Sequence, residues 1–182
     1  GKIPSSTIDI RVVKCWYQAG IDIWETNYPV LTPELLLKDE NLVKVDMNSR
    51  QNFLKVKEQN SDSMNYRCIS EKQYEPLRHV TVKDAECLQP VDIDRGSAKQ
   101  FWLTIRVPDS AKAGYYRGSI ILSVNDSILK TLPLALRVLP FELEEPKLQY
   151  SIFYLGLLSD RDVDIISSEG KTDQQYLIEM RN

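Results

Sequence analysis

The sequence predicts an all-β region, arranged as a two-sheet antiparallel β-sandwich of Ig-like or jelly-roll-like topology, followed by one βα unit. Two observations predict the sandwich. Apolar residues recur at every second position up to Pro140, which is the period of a strand with one buried face. Short strands alternate with polar turns, and two such sheets bury their apolar faces by stacking. After Pro140 the pattern changes to one strand, a polar loop and an amphipathic helix.

Strands in the first half of the chain are predicted to be short. Each candidate combines β-branched or aromatic residues with flanking turn residues. The candidates are 8–17, 34–37, 43–46, 53–57, 66–70, 80–83 and 87–93. The polar segment 59–65 between two of them is predicted to be an exposed loop.

The clearest strand covers residues 101–107. Its apolar positions share one face: Phe101, Leu103, Ile105 and Val107. The other face holds Trp102, Thr104 and Arg106. Because Pro108 lacks a backbone donor, it ends this strand. The segment 108–114 follows as a loop that turns at Gly114, and Gly118 beyond it is expected to permit a close approach of backbone.

Two more strands follow and complete a predicted antiparallel meander. The first has apolar or small residues at every second position, namely Tyr116, Gly118, Ile120, Leu122 and Val124. A tight turn at 125–127 leads to the second, in which the alternating residues are Leu132, Leu134, Leu136 and Val138. Pro133 cannot donate to a ladder, so the last strand is predicted to lie at a sheet edge or to carry a bulge there.

A domain boundary is predicted between residues 145 and 146. The linker before it carries an acidic cluster, Glu142, Glu144 and Glu145, between prolines. Residues 1–145 would form the sandwich. Residues 146–182 would be a linker and the start of a second α/β domain, with a strand at 149–155 and a helix opened by the capping box 172–175. The apolar stripe of that helix is Tyr176, Leu177 and Met180.

Composition excludes several function classes. Lys and Arg number 23 against 26 Asp and Glu, so the net charge of −3 offers no basic field for nucleic acid. No apolar run is long enough for membrane insertion. A single histidine, His79, and the absence of glycine-rich phosphate loops predict neither a catalytic triad, a metal site nor a cofactor. Cys15, Cys68 and Cys87 are expected to be buried free thiols, with a Cys68–Cys87 bridge as the alternative.

Candidate functional side chains are few. Glu34, Asp84 and Glu86 lie near predicted strand ends, but solvation explains such carboxylates better than catalysis, and no catalytic residue is predicted. Four aromatic residues could stack on sugar rings or fill a domain interface, and packing is the favoured of the two roles. They are Trp16, Trp24, Tyr28 and Trp102.

Five segments together carry a resemblance to a known family. They are 35–39, 88–91, 99–108, 111–118 and 132–141. In this order they resemble the N-terminal β-sandwich that precedes the barrel in β-N-acetylgalactosaminidase-like glycoside hydrolases and related bacterial proteins. The resemblance implies that residues 146–182 begin a truncated (β/α)8 barrel, whose catalysis is substrate-assisted and whose acidic residues lie on later strands. No catalytic residue is therefore carried over to this chain.

Two function classes follow. The resemblance implies a noncatalytic accessory sandwich of a glycoside hydrolase of the N-acetylhexosaminidase type, with the barrel of the parent chain and carbohydrate as partners. The alternative is an Ig-like binding or adhesion module of a bacterial cell-surface protein. The βα unit favours the first class, because a string of adhesion modules would continue with strands. Either class implies an extracellular, periplasmic or cell-surface location in a bacterium.

Overall fold

The computed structural model describes residues 1–18, 28–58, 63–70, 80–141, 143–144, 147–148, 174 and 177. Within these residues it contains nine strands and two short 3-10 turns, at Ser5–Thr7 and Glu40–Leu42. The strands are β1 (Ile8–Gln18), β2 (Val30–Leu37), β3 (Val43–Asp46), β4 (Gln51–Glu58), β5 (Met64–Cys68), β6 (Val80–Thr81), β7 (Phe101–Ile105), β8 (Gly114–Val124) and β9 (Ser127–Val138). The regular secondary structure of the described residues is thus mostly β-strand.

The strands form three sheets. A three-stranded sheet has the order β2-β1-β7, and a four-stranded sheet has the order β3-β4-β5 with β6 also paired to β4. The third sheet is the β8–β9 hairpin. The registers of β1–β2, β3–β4, β4–β5, β4–β6 and β8–β9 are all antiparallel. The predicted all-β, antiparallel class is therefore confirmed.

Two compact units divide the chain, and the division falls within β1 and β7. One unit contains Ile10–Trp102, and the other contains Gly1–Asp9 and the chain from Leu103 through the β8–β9 hairpin. The buried apolar side chains of the described residues all lie in the first unit: Val12, Leu37, Leu42, Val43 and Val56.

The core of the Ile10–Trp102 unit receives side chains from two sheets. Val12 of β1 and Leu37 of β2 come from the three-stranded sheet, and Val43 of β3 comes from the four-stranded sheet. Leu54 of β4 and Phe101 of β7 pack against this cluster. Because both sheets contribute, each turns one face away from water, and burial of these faces is the main source of stability.

The alternation predicted for β7 is confirmed, but the side chains on its inward side are only partly buried. Phe101, Leu103 and Ile105 are half-buried, whereas the intervening Trp102 and Thr104 are exposed. Val107 was predicted to share the buried face, but it lies two residues beyond the strand and is 44% exposed. The strand ends at Ile105, so the alternating geometry that would turn Val107 inward stops before it.

The predicted meander of 101–138 is wrong, because β7 pairs with β1 and only β8 and β9 pair with each other. The amide of Val13 donates to the Gln100 carbonyl at 2.9 Å, and the amide of Arg106 donates to the Thr7 carbonyl at 2.9 Å. These two bonds make β1 and β7 antiparallel neighbours. Alternation specifies the buried face of a strand and leaves its hydrogen-bonding partner open, so sequence proximity was a poor guide here.

The β8–β9 hairpin confirms the predicted turn. Asn125 and Asp126 adopt φ values of 47° and 62°, and they connect the paired residues Val124 and Ser127. Positive φ at both central residues defines a type I′ turn. Pro133 lies opposite Ser119 in a two-stranded sheet, so the predicted edge position is confirmed. The irregularity in the ladder falls at Leu122/Ser123, so the alternative of a bulge at the proline is wrong.

The predicted strand at 87–93 is wrong, because this segment is irregular. Pro90 lacks a donor, and the neighbouring amides are used elsewhere. The amide of Gln89 donates to the Lys38 carbonyl at 2.8 Å, and the amide of Asp92 donates to the Glu40 carboxylate at 3.2 Å. The segment is therefore fixed to the loop after β2 instead of joining a ladder.

Few residues beyond position 141 are described. Gln174 and Leu177 are helical, as the capping box predicts for that region. The predicted strand at 149–155 lies outside the described residues, as do Glu142 and Glu145 of the acidic cluster and residues 59–62 of the predicted loop 59–65. The end of that predicted loop is wrong, because Met64 and Asn65 are the first two residues of β5 and pair with β4. Among the described residues, no helix has the length and apolar character needed to cross a membrane.

Candidate functional site

A bulge in β2 directs one of the candidate carboxylates toward β1. Lys14 pairs with Leu35 and Cys15 pairs with Pro33, so Glu34 is an extra residue in the β1–β2 ladder. Bulges re-aim side chains. The Oε2 atom of Glu34 accepts hydrogen bonds from Trp16 Nε1 at 2.9 Å and from Gln18 Nε2 at 2.7 Å. An indole, an amide and a carboxylate are thereby fixed together at the end of β1.

Trp16 and Trp102 occupy opposite faces of the three-stranded sheet. Trp16 is half-buried and packs against the core, on the same side of β1 as Val12. The β1–β7 hydrogen bonds place Trp102 directly opposite Arg11, and odd-numbered side chains of β1 point away from Val12. The two indoles therefore cannot form one platform.

Trp102 lies on what we call the outer face, the side of the three-stranded sheet that faces away from the core. Its side chain is 52% exposed. Val13 and Leu36 are directly paired on this face, and Leu36 is 38% exposed. Arg11 also lies there and donates from Nη1 to the Leu36 carbonyl at 3.2 Å. The outer face thus combines an exposed indole with apolar side chains and a guanidinium.

The remaining two aromatic candidates are Tyr28 and Trp24. Tyr28 is 69% exposed and precedes β2. Trp24 lies outside the described residues. Among the described aromatic candidates, then, Trp16 is hydrogen-bonded to Glu34, whereas Tyr28 and Trp102 are exposed.

The three candidate carboxylates occupy different environments. Asp84 is buried, and its two oxygens accept from the amides of Lys38 at 2.7 Å, Asp39 at 2.9 Å and Ala85 at 2.8 Å. The expectation of solvated charge is therefore wrong for Asp84, which holds the loop after β2. It is correct for Glu86, whose side chain is largely exposed and pairs with Lys83 at 3.3 Å.

Glu40 is a buried carboxylate that the sequence analysis missed. It is 7% exposed, and its Oε2 atom contacts the ammonium groups of Lys99 and, at 3.9 Å, of Lys14. Its position in the sequence could have indicated burial, because Glu40 lies between the apolar runs 35–37 and 42–43, and a buried charge requires a partner of opposite charge. Burial lowers the pKa of Lys14, while the Glu40 carboxylate raises it and the Lys99 charge lowers it further.

The cysteines are free, and the alternative of a Cys68–Cys87 bridge is wrong. Cys15 and Cys87 are exposed and Cys68 is half-buried, so the expectation of buried thiols is also wrong. Cys15 sits on the outward side of β1, where a small residue is not covered. No group of three or more His, Cys, Asp or Glu side chains able to hold a metal ion occurs in the described part of the chain, which does not include His79.

The geometry of these side chains suits binding better than bond cleavage. Glu34 is already hydrogen-bonded to two donors, Asp84 is saturated by backbone amides, and Glu86 is solvated. An exposed indole beside a guanidinium, in contrast, can stack on a sugar ring and donate to its hydroxyl groups.

Comparison of the chain with protein-family models, with curated proteins and with solved structures found no match.

Proposed function

We propose that this chain is a noncatalytic accessory β-sandwich of a glycoside hydrolase, which supports the catalytic barrel of its parent protein and contacts glycan through the outer face. The observation that carries the proposal is the exposed Trp102 on a sheet whose other face is committed to the core. An antiparallel sheet of this kind packs one face on the core and leaves the other accessible to solvent or to a partner. The parent would act by the substrate-assisted N-acetylhexosaminidase mechanism, with its acidic residues outside this chain.

The shared core supports the sandwich part of the proposal. Val12 and Leu37 from one sheet and Val43 from the other form a single buried cluster. Two antiparallel sheets with one core are the basis of Ig-like and jelly-roll sandwiches. On this proposal the β8–β9 hairpin completes the accessory domain.

Contacts between the family-like segments support the resemblance. Segments 35–39 and 88–91 are far apart in sequence, yet the Gln89 amide donates to the Lys38 carbonyl at 2.8 Å. Leu35 and Val91 from the same two segments pack against the core cluster. Two of the five segments that carry the resemblance are thus in contact within the Ile10–Trp102 unit.

The helical residues Gln174 and Leu177 favour an accessory domain over an adhesion module. A helix after a sandwich is expected where an α/β barrel begins, whereas tandem adhesion modules continue as strands. The Ig-like adhesion module remains the alternative, and the following experiments test the noncatalytic role and the glycan contact.

The first experiment measures hydrolysis of aryl N-acetylhexosaminides by the chain. We expect no turnover, because its candidate carboxylates are bonded or solvated separately. Turnover that disappears on changing Glu34, Asp84 or Glu86 to the corresponding amide would contradict a noncatalytic role and place an acid pair in the sandwich.

The second experiment titrates the chain with N-acetylhexosamine oligosaccharides and follows tryptophan fluorescence and calorimetric heat. We expect saturable binding that Trp102→Ala abolishes and Trp102→Phe partly retains, because a phenyl ring still stacks. Tyr115→Ala is the matched control, since Tyr115 is a 75% exposed strand aromatic on β8. Loss of binding in both alanine variants, or no binding at all, would contradict a glycan contact at the outer face.

A further inference from the structure

Two lysine ammonium groups share a single carboxylate oxygen in the Ile10–Trp102 unit. The Nζ atom of Lys14 lies 3.9 Å from Glu40 Oε2, and the Nζ atom of Lys99 contacts the same oxygen. The side chains are 21% exposed for Lys14, 24% for Lys99 and 9% for Glu40. One carboxylate therefore pairs with two ammonium groups, and all three groups are largely shielded from water.

The second carboxylate that interacts with Lys14 is also shared between two cations. Asp39 interacts with Lys14, but its carboxylate is also 3.8 Å from the ammonium group of Lys55. The thiol of Cys15, on the opposite side of β1, is the remaining group that interacts electrostatically with Lys14. The three ammonium groups thus outnumber the two carboxylates by one. A shielded lysine beside another cation is the usual arrangement of an activated amine.

We propose that Lys14 is a site of covalent modification by aldehydes, a class that includes the open-chain forms of reducing sugars. The residue is on β1, and its side chain keeps a fifth of its surface in contact with solvent. Glu40 Oε2, at 3.9 Å, is beyond direct hydrogen-bond distance, so the ammonium group loses its proton to water before it attacks. Burial lowers the pKa of Lys14, which increases the neutral, nucleophilic fraction at neutral pH.

The reaction is an imine condensation and needs no oxidant or reductant. The Nζ lone pair attacks the carbonyl carbon, a C–N bond forms, and the carbonyl oxygen takes up a proton to give a carbinolamine. The C–O bond then breaks, and the oxygen leaves as water with the second proton from nitrogen. The products are a Lys14 imine and one water molecule, and hydrolysis reverses the reaction.

The experiment treats the full chain at pH 7.5 with a limiting amount of glycolaldehyde, and sodium cyanoborohydride traps the imine as a stable secondary amine. Peptide mass spectrometry gives the labelling rate of each lysine. We expect Lys14 to be labelled ahead of the exposed Lys112 and Lys130, because each unit by which its pKa is lowered raises the neutral fraction about tenfold. Equal or slower labelling of Lys14 would overturn the proposal.

A variant and a pH series test whether the neighbouring Lys99 charge and the lowered pKa cause the faster labelling of Lys14. Lys99→Met removes the competing charge, so it should slow labelling of Lys14, and the exposed-site control Lys130→Met should leave that rate unchanged. If Lys99→Met fails to fold, the pH dependence in the unaltered chain decides: half-maximal labelling of Lys14 should occur at a lower pH than that of Lys112. A higher or equal half-maximal pH, or faster labelling in Lys99→Met, would contradict the inference.

Discussion

Single buried polar side chains replace missing backbone partners in this chain. Beyond Val13, which bonds to Gln100, the edge of β1 away from β2 needs another partner. The side chain of Asn52 supplies one: its Oδ1 accepts from the Tyr17 amide at 2.9 Å, and its Nδ2 donates to the Tyr17 carbonyl at 2.6 Å. A residue of the four-stranded sheet thereby continues the ladder of the three-stranded sheet.

Asn52→Ala should destabilise the chain by about 1–3 kcal/mol, since it leaves the amide and carbonyl of Tyr17 without partners. The measurement is urea denaturation followed by far-ultraviolet circular dichroism. Asn65→Ala on the exposed side of β5 is the matched control and should change the free energy of unfolding by less than about 0.5 kcal/mol. Equal losses in the two variants would show that the Asn52 bridge is not stabilising.

The sequence could identify residue types at the candidate site but not their surroundings. Asp84 and Glu86 are two positions apart and equally acidic, yet one is buried among amides and the other is solvated. The difference arises because the loop after β2 folds over Asp84, a contact across 46 residues. Glu40 was missed for the same reason, since Lys99 is distant in sequence. Trp102, whose orientation follows from local alternation, was predicted correctly to point away from Phe101.

At the scale of elements, turns are fixed by local chemistry, and the β3–β4 turn shows this most clearly. Asp46 Oδ1 accepts from the amides of Asn48 at 2.8 Å and Ser49 at 3.2 Å, and Arg50 takes a positive φ of 55°. These hydrogen bonds from the Ser49 and Asn48 amides to the carboxylate lower the pKa of Asp46. The turn is therefore coupled to the ionisation of one aspartate.

This coupling predicts a pH dependence with a definite sign. The folded-state pKa of Asp46 is below its unfolded value, so its contribution to stability is complete above a pH of about 4 and is lost as the pH falls through the folded pKa. The difference in unfolding free energy between the unaltered chain and Asp46→Asn should therefore shrink in acid. Asn48→Ala is the control and should retain the pH dependence, because it keeps both backbone donors. A difference that grows in acid would contradict the argument.

The two glycines at the start of β8 should respond differently to substitution. Gly114 has a φ of 146°, which side chains rarely adopt, whereas Gly118 has ordinary strand geometry and no described atom within 4 Å of an added Cβ. The expected close approach at Gly118 is thus absent from the described structure. Gly114→Ala should destabilise the hairpin by about 1–3 kcal/mol, and Gly118→Ala should be neutral or stabilising in thermal denaturation. The reverse order would contradict this assignment.

Strand faces were more predictable than strand partners. Alternation in β7 and β9 gave the inward residues correctly, and the 125–127 turn chemistry gave the β8–β9 hairpin. The partner of β7 depends instead on β1, whose paired residues lie about ninety positions earlier in the chain. The local sequence of β7 does not specify this partner, because the backbone groups at the edge of one strand can hydrogen-bond to the edge of many others.

At the scale of the whole molecule, apolar burial is unevenly divided between the two units. The Ile10–Trp102 unit holds every fully buried apolar side chain of the described residues, with Val12 and Val56 the most completely enclosed. The hairpin, in contrast, exposes apolar residues near its turn: Ile121, Leu122, Val124, Ile128 and Leu129. Two-stranded sheets without a covered face are marginally stable in water, so the two units should differ in local stability.

Native-state amide hydrogen exchange measures this difference directly. Amides of β1 and β4 should exchange slowest, because opening them exposes Val12 and Val56 to water, whereas amides of β8 and β9 should exchange faster. Val56→Ala should speed exchange in β4 and lower stability by up to about 1.5–3 kcal/mol. Ile120→Ala on the half-buried side of β8 is the comparison and should affect hairpin amides first. Slower exchange in the hairpin than in β4 would mean that its exposed apolar residues are covered in solution and that its stability has another source.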